Sequence, residues 1–191
     1  MASATTGSTR ERIIDAAEGC FARSGIAKTT VEDIATAAGM SRATLYRSVA
    51  GGRDELVSAV MLRDLGRFLD RLSVRLRREP SVPDAVVEGV MDAVSFVRAQ
   101  PHIGRFLASE AAGHVAPGAV ERTLALCGER LRPYFEAARR DGGIRPDIEV
   151  DGAVEFLFRI VASLIVVDRA RDEAATRNFL RSYVVPVIVG P

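Results

Sequence analysis

Apolar residues recur at alternating spacings of three and four along most of the chain, which is the period of helices with one buried face. No segment shows the strict apolar–polar alternation of a half-buried strand, and no internal repeat interrupts the pattern. Glycine and proline clusters separate the apolar runs, notably at residues 50–52, 80–83 and 142–146. We therefore predict an all-α fold of about nine helices.

The same breaks divide the chain into two domains. Residues 1–8 are small and polar and are expected to form a disordered tail, after which Ser8 begins a capping pattern for a first helix over Thr9–Ser24. We assign residues 1–52 to an N-terminal domain of tail and three helices. Residues 53–191 then form a C-terminal helical domain.

The fourth helix starts near Arg53 and carries two stripes on different sides. Its apolar seam is Leu62, Leu65, Leu69, Leu72 and Leu76, and its basic stripe is Arg63, Arg67, Arg71 and Arg75. An arginine stripe is more typical of a solvated face than of an anion-binding wall. Further helices are predicted over residues 84–100, 102–110, 119–141, 151–168 and 173–189, with a loop over 111–118 and a kink or break at Pro133.

The stretch Thr29–Val49 predicts two short helices joined at a glycine. Thr29 followed by Glu32 is a capping-box pattern for the first of them. Gly39 supplies a left-handed position at which that helix can stop and the chain can turn. Ser41 then caps the second helix. This arrangement predicts a helix-turn-helix.

The second helix of this pair leaves a basic surface exposed. Leu45, Ser48 and Val49 are predicted to point inward, and the outward or flanking side chains are those of Arg42, Ala43, Thr44, Tyr46 and Arg47. Between Gly39 and Arg53 there are three arginines and no carboxylate. A helix that offers arginine, threonine and tyrosine in this way is suited to a DNA major groove.

Composition adds that any DNA-binding surface must be local. The net charge is only +1, and 48% of the residues are hydrophobic, as in ordinary soluble proteins. The N-terminus lacks the basic and apolar regions of a signal peptide, and the apolar run from Phe156 to Val167 is too short to span a bilayer and contains Arg159. We expect a cytoplasmic protein without membrane association.

Residues 10–56 resemble the TetR family of bacterial transcriptional regulators. The resemblance rests on the stretches RERIIDAAEGCFARSG, TTVEDIATAAGMSRATLYRSV and GGRDEL in combination. It implies a homodimer formed through the last two helices, an inverted-repeat operator in double-stranded DNA, and a small-molecule effector that releases the DNA. Apolar or amphipathic chemistry is expected for that effector, because the C-terminal helices are apolar.

The resemblance also assigns roles to individual residues. It places Thr30 on a phosphate, Arg42, Ala43 and Tyr46 at base edges, and Thr44 on the DNA backbone. The chain departs from the family pattern at two places. The family often has an aromatic or a His-Phe pair where this chain has Ser48-Val49. A lysine that is common just before the fourth helix is replaced by Gly51-Gly52-Arg53, so Arg53 becomes the candidate for the phosphate contact of that lysine. The predicted DNA-binding residues are Thr30, Ser41, Arg42, Ala43, Thr44, Tyr46, Arg47 and Arg53.

Candidate effector-binding residues are aromatic or unusual positions of the C-terminal domain. They are Phe68, Met91, Phe96, Phe106, Tyr134, Phe156 and Arg159. Each of the apolar ones, taken singly, is better explained as an ordinary residue of the hydrophobic core. Arg159 interrupts an apolar run, and two interpretations are open. It forms a buried or interface ion pair with Glu155, or it recognises a ligand carboxylate.

No metal site or cofactor is predicted. His102 and His114 show no ligand spacing with each other or with the two cysteines, Cys20 and Cys127, which are expected to be reduced core thiols. No nucleophile–base–acid set and no Gly-rich phosphate loop points to an enzyme, although an all-α enzyme remains the rival class. A DNA-binding dimer without a small-molecule ligand is the other alternative.

Overall fold

A computed structural model describes residues 3–100, 118–167 and 172–190. Every regular element in these ranges is helical, which confirms the all-α prediction. The helices are α1 Ser3–Ser24, α2 Val31–Ala37, α3 Arg42–Ser48, α4 Gly52–Leu76, α5 Val82–Ala99, α6 Ala119–Arg140 and α7 Val150–Val166. An eighth, α8, runs through Glu173–Phe179, the π-helical segment Leu180–Val184 and the final turn Val185–Ile188.

Helix bounds differ from the predictions at two places. Helix α1 begins at Ser3 instead of Thr9, because no proline in this stretch stops the helix from adding one backbone hydrogen bond per residue. Helix α6 runs unbroken through Pro133, so the predicted break is wrong, and the kink stays a prediction. Pro133 and Glu129, one turn earlier, are both exposed, so water can bond the carbonyl that the proline leaves without an amide partner. The helix predicted over 102–110 and nearly all of the loop over 111–118 lie outside the described residues.

The chain separates into two compact units, Met1–Asp64 and Leu65–Pro191. The first unit extends past the predicted boundary at residue 52, because Leu56 and Val60 of α4 are buried in the same apolar cluster as α1, α2 and α3. That cluster includes Ile13, Ala17, Cys20, Ile34, Ala35, Leu45 and Val49.

The second unit has its own core. Helix α5 packs on α7 and α8, and α6 packs on α7. Leu69, Leu72 and Leu76 of the predicted α4 seam are buried in this unit. Buried side chains from the other helices include Val87, Val90, Phe135, Val154, Leu180, Val184 and Ile188.

The arginine stripe of α4 is not simply a solvated face. Arg63 pairs with Asp15 and Glu18 of α1 in the first unit. Arg75 pairs with Asp92 of α5 at 2.6 Å in the second unit, and lies within 3.7 Å of Glu88. These partners are distant in sequence, so the stripe contributes tertiary ion pairs.

A second set of ion pairs joins α8 to α5. Arg177 donates to the Glu88 carboxylate at 2.8 Å, and Arg181 donates to the Asp84 carboxylate at 2.8 Å. Hydrogen bonding from Arg177 lowers the pKa of Glu88, so this carboxylate stays ionised at neutral pH. Charge therefore supplements apolar contact in fixing α8 on α5.

Both cysteines are buried and unpaired. Burial raises the pKa of Cys127 to about 11. Among the described residues, no helix is both long and apolar enough to cross a membrane.

Candidate nucleic-acid interface

Helix α2 begins at a reciprocal cap. The Thr30 hydroxyl accepts from the Asp33 amide at 3.1 Å, and the Asp33 carboxylate accepts from the Thr30 amide at 2.9 Å and from its hydroxyl at 2.7 Å. The capping box is therefore Thr30 with Asp33, and the predicted pair Thr29 with Glu32 is wrong by one residue. These hydrogen bonds, the backbone one first, lower the pKa of Asp33.

Thr29 has a different task. It is buried, and its hydroxyl contacts the Gly25 carbonyl at 2.9 Å and the Cys20 carbonyl at 3.3 Å. A buried hydroxyl that bonds the end of α1 cannot also cap α2, and this tertiary contact decides which of the two adjacent threonines does so.

The turn between α2 and α3 is built as predicted. Gly39 has φ +66°, a left-handed conformation that costs other residues about 1–2 kcal/mol. The Met40 amide donates to the Ala35 carbonyl at 3.0 Å, while Arg12 of α1 donates to the Ala38 carbonyl at 3.0 Å. Arg12 therefore satisfies a carbonyl at the end of α2, a role that sequence reasoning missed because the two residues are far apart in the chain.

Helix α3 is anchored on one side and open on the other. Ser41 caps it by accepting from the Thr44 amide at 3.2 Å. Leu45 and Val49 are buried, as predicted, against a cluster that includes the small Ala35. Arg42, Ala43 and Arg47 are exposed, Tyr46 is 40% exposed, and Thr44 is half-buried. The structure thus places most of the predicted α3 residues on one accessible surface.

Arg42 lies over the ring of Tyr46, one helical turn away. Its guanidinium carbon is 5.5 Å from the ring centroid, within the range of a cation–π contact. Glu32 of α2 lies 3.9 Å from the same guanidinium. A side-chain hydrogen bond with Tyr46 raises the pKa of Arg42, and the charge of Glu32 adds a smaller rise, so Arg42 is permanently charged.

Arg47 belongs to a separate chain of hydroxyl contacts on α3. It donates to the Thr44 hydroxyl at 3.3 Å, and that hydroxyl shares a 2.9 Å hydrogen bond with Ser41. Thr44 therefore links the capping serine to the exposed arginine. No acidic side chain of α3 competes for either of its arginines, because the helix contains none.

Arg53 is held by the backbone of the first unit. Its guanidinium donates to the Thr29 carbonyl at 3.1 Å and also to the Ile26 carbonyl. It thereby fixes the connection between α1 and α2, a role with no local sequence signal because both partners lie more than twenty residues away. The remaining guanidinium nitrogen lies 3.9 Å from the Asp54 carboxylate.

The candidate effector residues are not equivalent in the second unit. Phe68 and Phe96 stack with centroids 4.3 Å apart, and Met91 is buried in the same core. Tyr134 and Phe156 are partly buried against this core, and Phe106 lies outside the described residues. Desolvation is the main cause that raises the pKa of Tyr134.

Arg159 is paired as expected but is not buried. Its guanidinium donates to the Glu155 carboxylate at 2.9 Å, and 73% of its side chain is exposed. The internal ion pair, one of the two locations that the sequence allowed, is therefore wrong: α7 leaves the face that bears Arg159 open to solvent in a single copy of the chain. The interface alternative stays a prediction.

Residues 13–60 match the family model described as bacterial regulatory proteins, tetR family. These residues contain α2, α3 and the parts of α1 and α4 that pack on them. Over these residues the chain matches the TetR family, as the resemblance implied, and it is a transcriptional regulator of this kind.

Known proteins similar over nearly the whole chain agree with this assignment. An uncharacterized HTH-type transcriptional regulator of Mycobacterium tuberculosis is 27% identical over 182 residues, which cover 93% of this chain and 84% of that protein. The TetR-family repressor AlkX from Dietzia sp. shares the fold with a TM-score of 0.61, at 23% identity, over 93% of this chain and 94% of its own. The structure of RolR with resorcinol gives a TM-score of 0.76 at 16% identity, over 96% and 89% of the two chains.

Proposed function

We propose that this TetR-family regulator is a homodimeric repressor that binds an inverted-repeat operator through α3 and is released by a small-molecule effector. The observation that carries the proposal is the exposed surface of α3, where Arg42 and Arg47 face solvent on a helix without carboxylates. Arginine is the residue that most often reads guanine in the major groove, by two hydrogen bonds to one base edge.

With a net charge of +1, the chain has no general cationic attraction for DNA. Binding must come from local contacts to phosphates and bases. Two symmetric copies would double those contacts and place two copies of α3 about one turn of DNA apart, which is why we propose an inverted repeat. The predicted phosphate and base contacts of Thr30, Ser41, Ala43, Thr44 and Arg53 belong to this proposal.

Apolar side chains of α7 and α8 support the dimer. Val166, Val167, Tyr183 and Val187 are exposed in one copy, Tyr183 by 69%. Isolated apolar side chains on a surface are common, but several on the last two helices favour an interface. We propose that a second copy of the chain covers them.

The effector is proposed to bind in the core of the second unit, near the stacked pair Phe68 and Phe96. Solved structures with this fold carry chemically unrelated ligands: resorcinol in RolR, stearoyl-CoA in a Bacillus subtilis FadR, and choline in a Saccharomonospora viridis regulator. The fold therefore does not set the ligand class, and the apolar core is the reason to propose an apolar or amphipathic effector. A thermal-shift screen of metabolites tests it, since an effector stabilises the folded chain.

The DNA-reading proposal is tested with Arg42→Ala. A duplex is first selected by the parent protein from a random-sequence pool, and affinity for it is compared with affinity for a scrambled duplex. We expect Arg42→Ala to lose about 1–3 kcal/mol of that preference, the value of one two-bond base contact. Arg71→Ala, the same change on an exposed arginine of α4, is the control and should keep the preference. An Arg42→Ala protein with the parent's preference would exclude Arg42 from base reading.

The dimer is tested with Tyr183→Asp. A charge placed in an apolar interface must be desolvated, so we expect this variant to be monomeric in analytical ultracentrifugation where the parent is dimeric. Ser182→Asp adds the same charge at the neighbouring exposed position and should remain dimeric. A parent that sediments as a monomer at tens of micromolar would rule out the proposed assembly.

A further inference from the structure

Tyr46 and Arg42 form a contact that is complete before any DNA arrives. They are separated by four residues on α3, so both side chains leave the helix on the same side. The guanidinium carbon of Arg42 is 5.5 Å from the centre of the Tyr46 ring. One face of that ring is therefore used by the arginine.

The Tyr46 ring is itself seated on a glycine. Gly52, the first residue of α4, has φ +57°, and a Cβ atom placed on it would lie 3.1 Å from Cε1 of Tyr46. The ring thus packs on a backbone position from which a side chain is missing. Gly52 is buried, so this seat is protein and not solvent.

Glu32 of α2 provides a second hold on the same arginine. Its carboxylate lies 3.9 Å from the guanidinium, and both side chains are largely exposed. An exposed ion pair at this distance is weak and is screened by salt. The aromatic ring, which needs no counter-charge, is the more durable of the two contacts.

We propose that Tyr46 is a positioning residue for Arg42: its ring, seated on Gly52, holds the guanidinium in the orientation that reads a base. Ordering an arginine before binding reduces the conformational entropy lost on the DNA. Tyr46 then contributes to sequence preference through Arg42 and not through a contact of its own with the DNA. This inference rests on the proposed DNA-binding function and deepens it.

A double-mutant cycle tests the coupling. Preference for the selected duplex over the scrambled duplex is measured by fluorescence anisotropy for the parent, Tyr46→Leu, Arg42→Ala and the double variant. We expect Tyr46→Leu to lower the preference about two- to fivefold, the range of an exposed cation–π contact. In the Arg42→Ala background the same change should have no further effect. Additive losses in the cycle would overturn the proposal.

Tyr46→Phe is an independent test, because it removes only the hydroxyl and is the least disturbing change to folding. We expect this variant to keep more of the parent's preference than Tyr46→Leu does, since the ring and its packing on Gly52 remain. A loss as large as that of Tyr46→Leu would assign Tyr46 to a direct hydroxyl contact with phosphate and overturn the positioning role. Circular dichroism of each variant verifies that α3 and its unit are folded.

The outcomes separate this inference from the function on which it rests. If the parent selects no duplex from the pool, the DNA-reading proposal fails and the positioning role fails with it. If the parent has a clear preference and Arg42→Ala reduces it, but Tyr46→Leu acts independently of Arg42, only the positioning role is rejected.

Discussion

Helix α2 of the first unit and helix α5 of the second begin with nearly the same chemistry. Thr30 and Ser81 each accept from the amide of an aspartate three residues later, at 3.1 and 3.2 Å. Each hydroxyl also donates to that aspartate's carboxylate, at 2.7 and 2.6 Å. Both caps satisfy amides that a helix start leaves without partners.

The two caps differ in where the aspartate's remaining hydrogen-bonding capacity goes. Asp33 accepts from the Thr30 backbone amide at 2.9 Å, so that the cap of α2 closes on itself. Asp84 accepts instead from Arg181 of α8 at 2.8 Å, so that the cap of α5 also holds another helix. One cap is a local device and the other is part of the tertiary structure.

The arginines of α3 and those bound to α5 follow the same division. On α3, Arg42 contacts an aromatic ring and Arg47 a hydroxyl, and both side chains remain accessible. In the second unit, Arg177 and Arg75 bind carboxylates of α5 at 2.8 and 2.6 Å. The same residue type therefore fixes helices in one region and is left available to a partner in the other.

The largest effect that separates the two regions should come from their cores. Leu45 and Leu180 are both 0% exposed, and truncation of either to alanine should cost about 2–5 kcal/mol of the free energy of unfolding. We expect Leu45→Ala to abolish preference for the selected duplex, because Leu45 anchors α3. Leu180→Ala should retain that preference at low temperature. Urea unfolding measures the stability of both variants, and fluorescence anisotropy measures their preference for the selected duplex. Equal DNA binding by the two variants would contradict the expected difference between the two units.

An intermediate effect is expected at the caps. Thr30→Ala should cost about 1 kcal/mol, because both the hydroxyl that caps α2 and a donor to Asp33 are lost. Ser81→Ala should cost less, since Asp84 keeps Arg181 as a partner near the helix start. Thermal unfolding measures both losses, with Thr30→Ser as the control that preserves the cap. A larger loss for Ser81→Ala would contradict the distinction between a local and a supported cap.

The smallest effect is a pH dependence. Hydrogen bonds from Thr30 lower the pKa of Asp33, and hydrogen bonds from Ser81 and then Arg181 lower that of Asp84, both from an ordinary value of 3.8. Because the folded-state pKa is depressed, each carboxylate stabilises the fold above the ordinary value, and this contribution is lost as the pH falls through the folded-state pKa. Acid therefore weakens both caps.

Arg181→Gln should separate the two aspartates. Without the guanidinium we expect the pKa of Asp84 to rise towards 3.8 and that of Asp33 to stay unchanged. Carboxyl titration by NMR measures both groups in one sample. A shift at Asp33 would show that Arg181 acts beyond its own cap.

Local chemistry explains what could be predicted from the sequence. Gly39, Ser41, Leu45 and Val49 occupy positions where turn geometry, capping and a 3.6-residue period each admit few alternatives, and the structure places all four as expected. The all-α class follows from the same periodicity.

The errors arose where distant partners decide. Thr29 and Thr30 both stand three residues before an acidic side chain, and only the contact of Thr29 with α1 selects Thr30 as the cap. Arg53, predicted to contact phosphate, also donates to carbonyls far away in the chain, a role that no local pattern indicates. For Arg159 the internal and the interface location both stayed open, because no sequence pattern distinguishes an apolar helix face that packs within one copy from one that stays exposed there.

The two buried thiols have a practical consequence for spectroscopy. Cys20 is shielded by its surroundings, and Cys127, with a pKa of about 11, remains protonated at neutral pH and reacts slowly with alkylating reagents. We therefore expect maleimide labels to react slowly with the native cysteines, so that neither cysteine has to be removed before a probe is attached. A single cysteine introduced at exposed Ser182 would report distances between the two copies of the proposed dimer by electron paramagnetic resonance, with and without DNA.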